Sequence, residues 1–159
     1  MRKRAIMAFA VAAAALFAGH ATALAEATTG AASLHPIDRS GIAGRMQYVD
    51  TGSTLTVDGT ATGLTFGQQY LSLFYDTGSK PSGPIVCEPT NNSITFDQML
   101  IGFWSVNPDG TGTLHAVKTG PGYVPLDLVH TQSIRHAISL PPGPLVVPVV
   151  ACGEVHHVG

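Results

Sequence analysis

The sequence predicts an all-β domain of about seven or eight short strands, either a β-sandwich or a flattened Greek-key barrel. Three observations predict it. Short stretches in which apolar and polar residues alternate recur along the chain, and a period of two puts successive side chains on opposite faces of a strand. Eighteen Gly and eleven Pro are scattered without a G-X-Y period among many Thr and Val, which excludes collagen and disfavours a helical bundle. No segment carries a persuasive helical period.

The elements follow in order. Residues 26–40 begin with the small, polar run EATTGAAS and are expected to be a flexible lead-in to a domain at 41–159. From Ile42 to Val49, Ile42, Met46 and Tyr48 alternate with Arg45 and Gln47, as in a half-buried strand. After the turn Asp50-Thr51-Gly52-Ser53, the alternation resumes with Leu55, Val57 and Ala61, and Gly63 to Gly67 interrupts it. Gln69 to Tyr75, QYLSLFY, is apolar on both faces and suits a central strand covered on either side. Thr77 to Pro84 reads as a loop, and Cys87 to Ser93 as irregular.

Gln98 to Val106 is strand-like around Trp104, and Asn107-Pro108-Asp109-Gly110 folds it back onto Thr111 to Val117. Proline presets φ in that turn and glycine accepts a positive φ. Further strands are expected at Leu128 to Ile138 and Leu145 to Val155. Pro148 cannot donate to a ladder, so the last strand is at an edge or bulged there. Trp104 and Tyr75 read as core or covering aromatics rather than a ligand box.

The first 25 residues read as an export signal: Arg2, Lys3 and Arg4 are followed by the apolar run Ala5 to Gly19 and the small-x-small site Ala23-Leu24-Ala25. That run is shorter than the ~20 apolar residues of a bilayer span, and no second span follows, so the mature chain is expected to be secreted, extracellular or periplasmic. Cleavage removes three of the eight basic residues and leaves ten acidic ones. A mildly acidic protein without a basic stripe is a poor partner for nucleic acid.

Export also decides how the cysteines read. In an oxidising compartment Cys87 and Cys152 are expected to form a structural disulfide. Closing a loop of that length restricts the unfolded chain by about 4 kcal/mol. No Gly-x-Ser-x-Gly elbow, adjacent carboxylate pair or Cys-His nucleophile supports a hydrolase. Asn91-Asn92-Ser93 matches the glycosylation sequon.

Four stretches resemble copper/zinc superoxide dismutases, in the family's order. Val57 to Gly67, VDGTATGLTFG, is similar to the strand and GLT-x-G turn that precede the first copper ligands. Cys87 lies where the family places the first cysteine of its disulfide. Ile101 to Gly110 resembles its LGN strand and D-x-D-G turn, and Ala151-Cys152-Gly153 its C-terminal ACG. The resemblance implies an eight-stranded Greek-key barrel with two long loops, the first tied to the last strand by the disulfide.

The same matching removes the chemistry. The family's HVHE copper ligands fall on Ser72 and Phe74, and neither hydroxyl nor phenyl replaces imidazole. The zinc-loop closure falls on Asp97 and Leu100, and Glu88 to Gln98 contains no His. The Arg that attracts superoxide in the family is Val149 here. Ser133 to Ala137 resembles the segment ending in a further copper ligand, which would be His136, one residue out of step.

His130 and His136 are an even six residues apart and would share a face of one strand, although a metal held there needs further donors. His156-His157 reads as a polar tail. The expected function is a non-catalytic superoxide dismutase-like scaffold without cofactor, contacting an unknown protein or small ligand. The alternatives are a divergent dismutase or a weak copper-binding protein using His115, His130, His136 or the terminal pair.

Overall fold

A computed structural model describes residues 26–76, 87, 92–139 and 145–158. The expected export signal, the loop expected at Thr77 to Pro84 and Asn91 of the sequon match lie outside the described residues. The architecture is all-β. Its strands are β1 (Thr28–Pro36), β2 (Ala43–Asp50), β3 (Thr54–Thr62), β4 (Gln69–Tyr75), β5 (Leu100–Phe103), β6 (Ser105–Val106), β7 (Gly112–Thr119), β8 (Thr131–Ser139), β9 (Leu145–Val146) and β10 (Val149–Val158). One four-residue helix, α1 (Phe96–Met99), and two 3₁₀ turns at Gly120–Gly122 and Leu126–Leu128 complete the described elements.

All the pairings are antiparallel, in the order β5-β4-β8-β10-β1-β2-β3-β7-β6, with β9 on β8. The two ends of that order are consecutive in sequence. At Trp104 the backbone N–H donates to Tyr70 O at 2.9 Å, and the chain then passes from β4 to β7. One short segment therefore bridges both edges, giving a nearly closed, barrel-like sheet.

The expected lead-in at residues 26–40 is corrected. Thr28–Pro36 forms β1, which pairs with β2 on one side and β10 on the other. Its inward positions are Gly30, Ala32 and Leu34, alternating with exposed neighbours. Gly30 and Ala32 are too small to register as a hydrophobic period beside Leu34, but the narrow interior needs a small residue at Gly30: a Cβ there would lie 3.1 Å from Leu126 and 3.3 Å from Tyr48.

Other expected elements change at their ends. Gln98–Val106 begins as a helical turn, whose N-cap Thr95 accepts from Gln98 N while the Gln98 side chain returns to Thr95 N. β8 starts at Thr131 rather than Leu128. The last stretch divides at Pro148, with a register shift between Val149 and Ala151, as a residue without an N–H requires.

The hydrophobic core fills the barrel. Met46, Tyr48, Leu55, Val57, Phe74, Trp104, Leu126 and Ile134 are buried in one cluster, and the Tyr48 and Phe74 rings meet at 5.8 Å, tilted by 54°. Two buried polar pairs lie in it: Trp104 Nε1 donates to Ser72 Oγ at 3.0 Å, and Tyr48 Oη donates to Gln132 Oε1, while Gln132 Nε2 has no hydrogen-bond partner among the described residues. The turn after β3 depends on Gly63, at φ 78°, where a Cβ would fall 2.4 Å from Gly41 O.

Candidate functional site

Two faces of the barrel carry chemistry-bearing residues. The first lies on β4 and β8, the strands to which the superoxide dismutase likeness assigns copper ligands. Along β4 the side chains of Tyr70, Ser72 and Phe74 point into the core: Tyr70 and Phe74 belong to the interior cluster, and Ser72 accepts from Trp104. The outward positions are Leu71, Leu73 and Tyr75, which form a separate cluster with Met99, Leu100, Ala137 and Val147.

The gapless match therefore points the supposed ligand positions inward. A strand shifted by one residue exchanges its faces, and moving the match by one puts Leu71, Leu73 or Tyr75 at those places. Neither register offers an imidazole. Tyr75 is engaged in any case: its Oη accepts from Arg135 Nε at 3.0 Å and Nη2 at 2.7 Å and lies 3.2 Å from Ser133 Oγ, while Arg135 Nη1 donates to Val147 O at 2.8 Å. Arg135 is only 9 % exposed. A guanidinium held in that layer repels a second cation, so the residues present do not fit a copper ion.

Val149, at the position of the family's anion-attracting Arg, pairs with Arg135 across the β8–β10 ladder. This face thus keeps a positive charge, supplied from the neighbouring strand and committed to Tyr75. The zinc-closing positions diverge likewise. Asp97 and Leu100 offer their backbone carbonyls to Lys118 Nζ, and burial pushes the Lys118 ammonium below its usual range. Cys152 lies opposite Ser133 on β8 and forms a disulfide with Cys87, with Cα atoms 5.9 Å apart.

The histidines do not converge. His130 precedes β8, its side chain exposed, while its backbone bonds Tyr75 O and Val155 N. His136 stacks on Tyr70 at 4.8 Å and sits 3.1 Å from Gln68 Oε1. Six residues of extended chain separate the two by ~20 Å, several times the reach of one ion. Among the described residues no three His, Cys, Asp or Glu side chains group as a metal site would need. His156 and His157 lie on β10, where His157 Nε2 reaches Val129 O at 3.3 Å.

The second face is the outside of β2, β3 and β7. Register places Arg45, Thr60 and Thr113 in one row across the three strands and Gln47, Asp58 and His115 in the next. All six are exposed, and together they line a depression of about 410 Å³. The threonines are short and make the floor, while Arg45, Gln47 and His115 form a taller rim. Asp58 Oδ1 and His115 Nδ1 are 2.7 Å apart, which fixes the ring and turns Nε2 outward. A second depression, of about 230 Å³, continues past Arg45 and Thr60 along Ala43, Gly44 and Thr62.

Sequence reasoning missed this dish. The alternation of Arg45 and Gln47 marks an outward face, but what stands beside them depends on a β3–β7 register set by residues far apart in the chain. The chain matches no protein-family model and no curated protein. Likeness to the superoxide dismutases therefore rests on the sequence motifs alone.

Proposed function

We propose that this chain is an exported, disulfide-tied scaffold of the superoxide dismutase-like kind, acting by binding and not by metal catalysis. The observation that carries the reading is the Tyr75–Arg135 cluster. The matched ligand positions Ser72 and Phe74 face the core without an imidazole, and the outward alternative on β4 is filled by a buried cation and the apolar side chains of Leu71 and Leu73. Support for export comes from the leader-like first 25 residues and the Cys87–Cys152 bond, which an extracellular or periplasmic setting preserves. No helix among the described residues is long and apolar enough to cross a membrane. The partner in this reading is a protein or small ligand, met on a polar outer face or a loop.

Metal content and superoxide turnover test the reading together. Protein recovered from the exported fraction of copper- and zinc-supplemented cells is expected to carry far less than one metal per chain and to show no dismutase activity. One copper per chain accompanied by turnover would refute the proposal.

A further inference from the structure

We infer that the dish on β2, β3 and β7 binds an acidic oligosaccharide, a short chain of sugars bearing carboxylates. The inference stands independently of the superoxide dismutase likeness, because none of the six rim and floor residues lies on the β4–β8 face. Its first support is charge. Arg45 has no hydrogen bond or ion pair among the described residues, in contrast to Lys118 and Arg135, whose donors are committed to the fold. A free guanidinium at the rim of a depression presents a planar fork that matches a carboxylate bidentately.

The second support is the inventory of neutral groups. Thr60 and Thr113 next to Arg45 bring hydroxyls that both donate and accept, and Gln47 brings an amide that does the same. With Asp58 on Nδ1, His115 keeps Nε2 as an acceptor for a ligand hydroxyl. A carboxylate flanked by hydroxyls satisfies this set, whereas a bare anion uses Arg45 alone. The third support is length: from Asp58 to Thr62 the floor runs ~13 Å along β3, and the second depression prolongs the first beyond Arg45. Among the described residues no Phe, Tyr or Trp lines either depression, so a neutral sugar finds no stacking surface beyond the His115 imidazole and selectivity falls on the carboxylate.

An NMR titration of the labelled mature chain with tri-galacturonate, maltotriose and acetate tests the inference. Tri-galacturonate is expected to shift the amides of Arg45, Thr60 and Thr113 and to saturate, while maltotriose and acetate leave them in place. Arg45→Gln is expected to weaken binding about tenfold or more, the scale of a lost charge-assisted hydrogen bond, and His115→Gln severalfold. Arg45→Lys, which keeps the charge without the planar fork, gives the same comparison should Arg45→Gln fold poorly. The inference is overturned if tri-galacturonate moves none of these amides, if folded Arg45 variants bind as tightly as the parent, or if acetate saturates the same amides equally well.

Discussion

The hydroxyl of Tyr75 accepts two hydrogen bonds from the guanidinium of Arg135, at 3.0 and 2.7 Å, across the β4–β8 ladder. Tyr75 is 3 % exposed. The guanidinium has been taken out of water, so the oxygen in front of it carries a stabilising share well above that of a surface contact. This pair also keeps the outer face closed to a cation.

Tyr75→Phe removes that acceptor and leaves the buried guanidinium short of a partner. We expect a loss of about 1–3 kcal/mol in urea unfolding. Replacing Arg135 by Met in the same chain removes the buried charge, so the double variant is expected to recover part of the loss. Costs that simply add would show that the two side chains do not act together.

The disulfide is expected to contribute about 4 kcal/mol by restricting the unfolded chain. Cys87→Ser and Cys152→Ser should lower the unfolding midpoint equally, and reductant should lower the parent's to match. The protein's mass after alkylation without reduction checks the premise. Two alkylated thiols would contradict it.

Gly153 lies where β10 passes β1, and a Cβ built there meets Ser33 O at 2.0 Å. Backbone cannot move aside as a flexible side chain can, so Gly153→Ala should prise the β1–β10 ladder apart. Hydrogen exchange reads this directly: amides of β1 are expected to lose protection before those of β3 and β7. Uniform protection across all four strands would refute the assignment.

Alkaline pH acts on the tyrosines. Burial, and the hydrogen bond from Tyr123 Oη to Asp50 Oδ1 at 2.9 Å, push the Tyr123 phenol up to about 12, and burial raises Tyr48 well above its ordinary 10.0. The folded state thus holds its phenolic protons longer than the unfolded chain. Stability is present in full below pH 10 and falls as pH rises from about 10 towards 12, while the unfolded chain ionises first. Tyr123→Phe should flatten that fall in melting temperature, and an unchanged slope would count against the Asp50 contact.

Much of the fold was legible in residue alternation, and the exceptions have physical causes. Met46 and Tyr48, and likewise Leu55 and Val57, announce β2 and β3 because one face of each strand is wet. β1 hides because Gly30 and Ala32 bury too little area to mark a period. In β4 the apolar character of both faces conceals which residues point inward. Trp104 decides the matter by bonding Ser72, a contact between strands that no local pattern encodes.

The candidate sites divide in the same way. The missing imidazoles at Ser72 and Phe74 could be read from residue type, as could the limits of a pair as remote as His130 and His136. The burial of Arg135 and the joining of Asp58 to His115 could not. Both depend on register between strands more than fifty residues apart, and register is set by how the whole barrel closes.

Copper(II) titration of the oxidised protein, followed by electron paramagnetic resonance, reads whether the barrel holds a copper site. Only weak binding is expected, through exposed imidazoles such as His156 and His157, and it disappears when those two are replaced by Gln. A tight one-to-one signal with several nitrogen ligands, surviving that replacement and lost in Arg135 or Tyr75 variants, would contradict it.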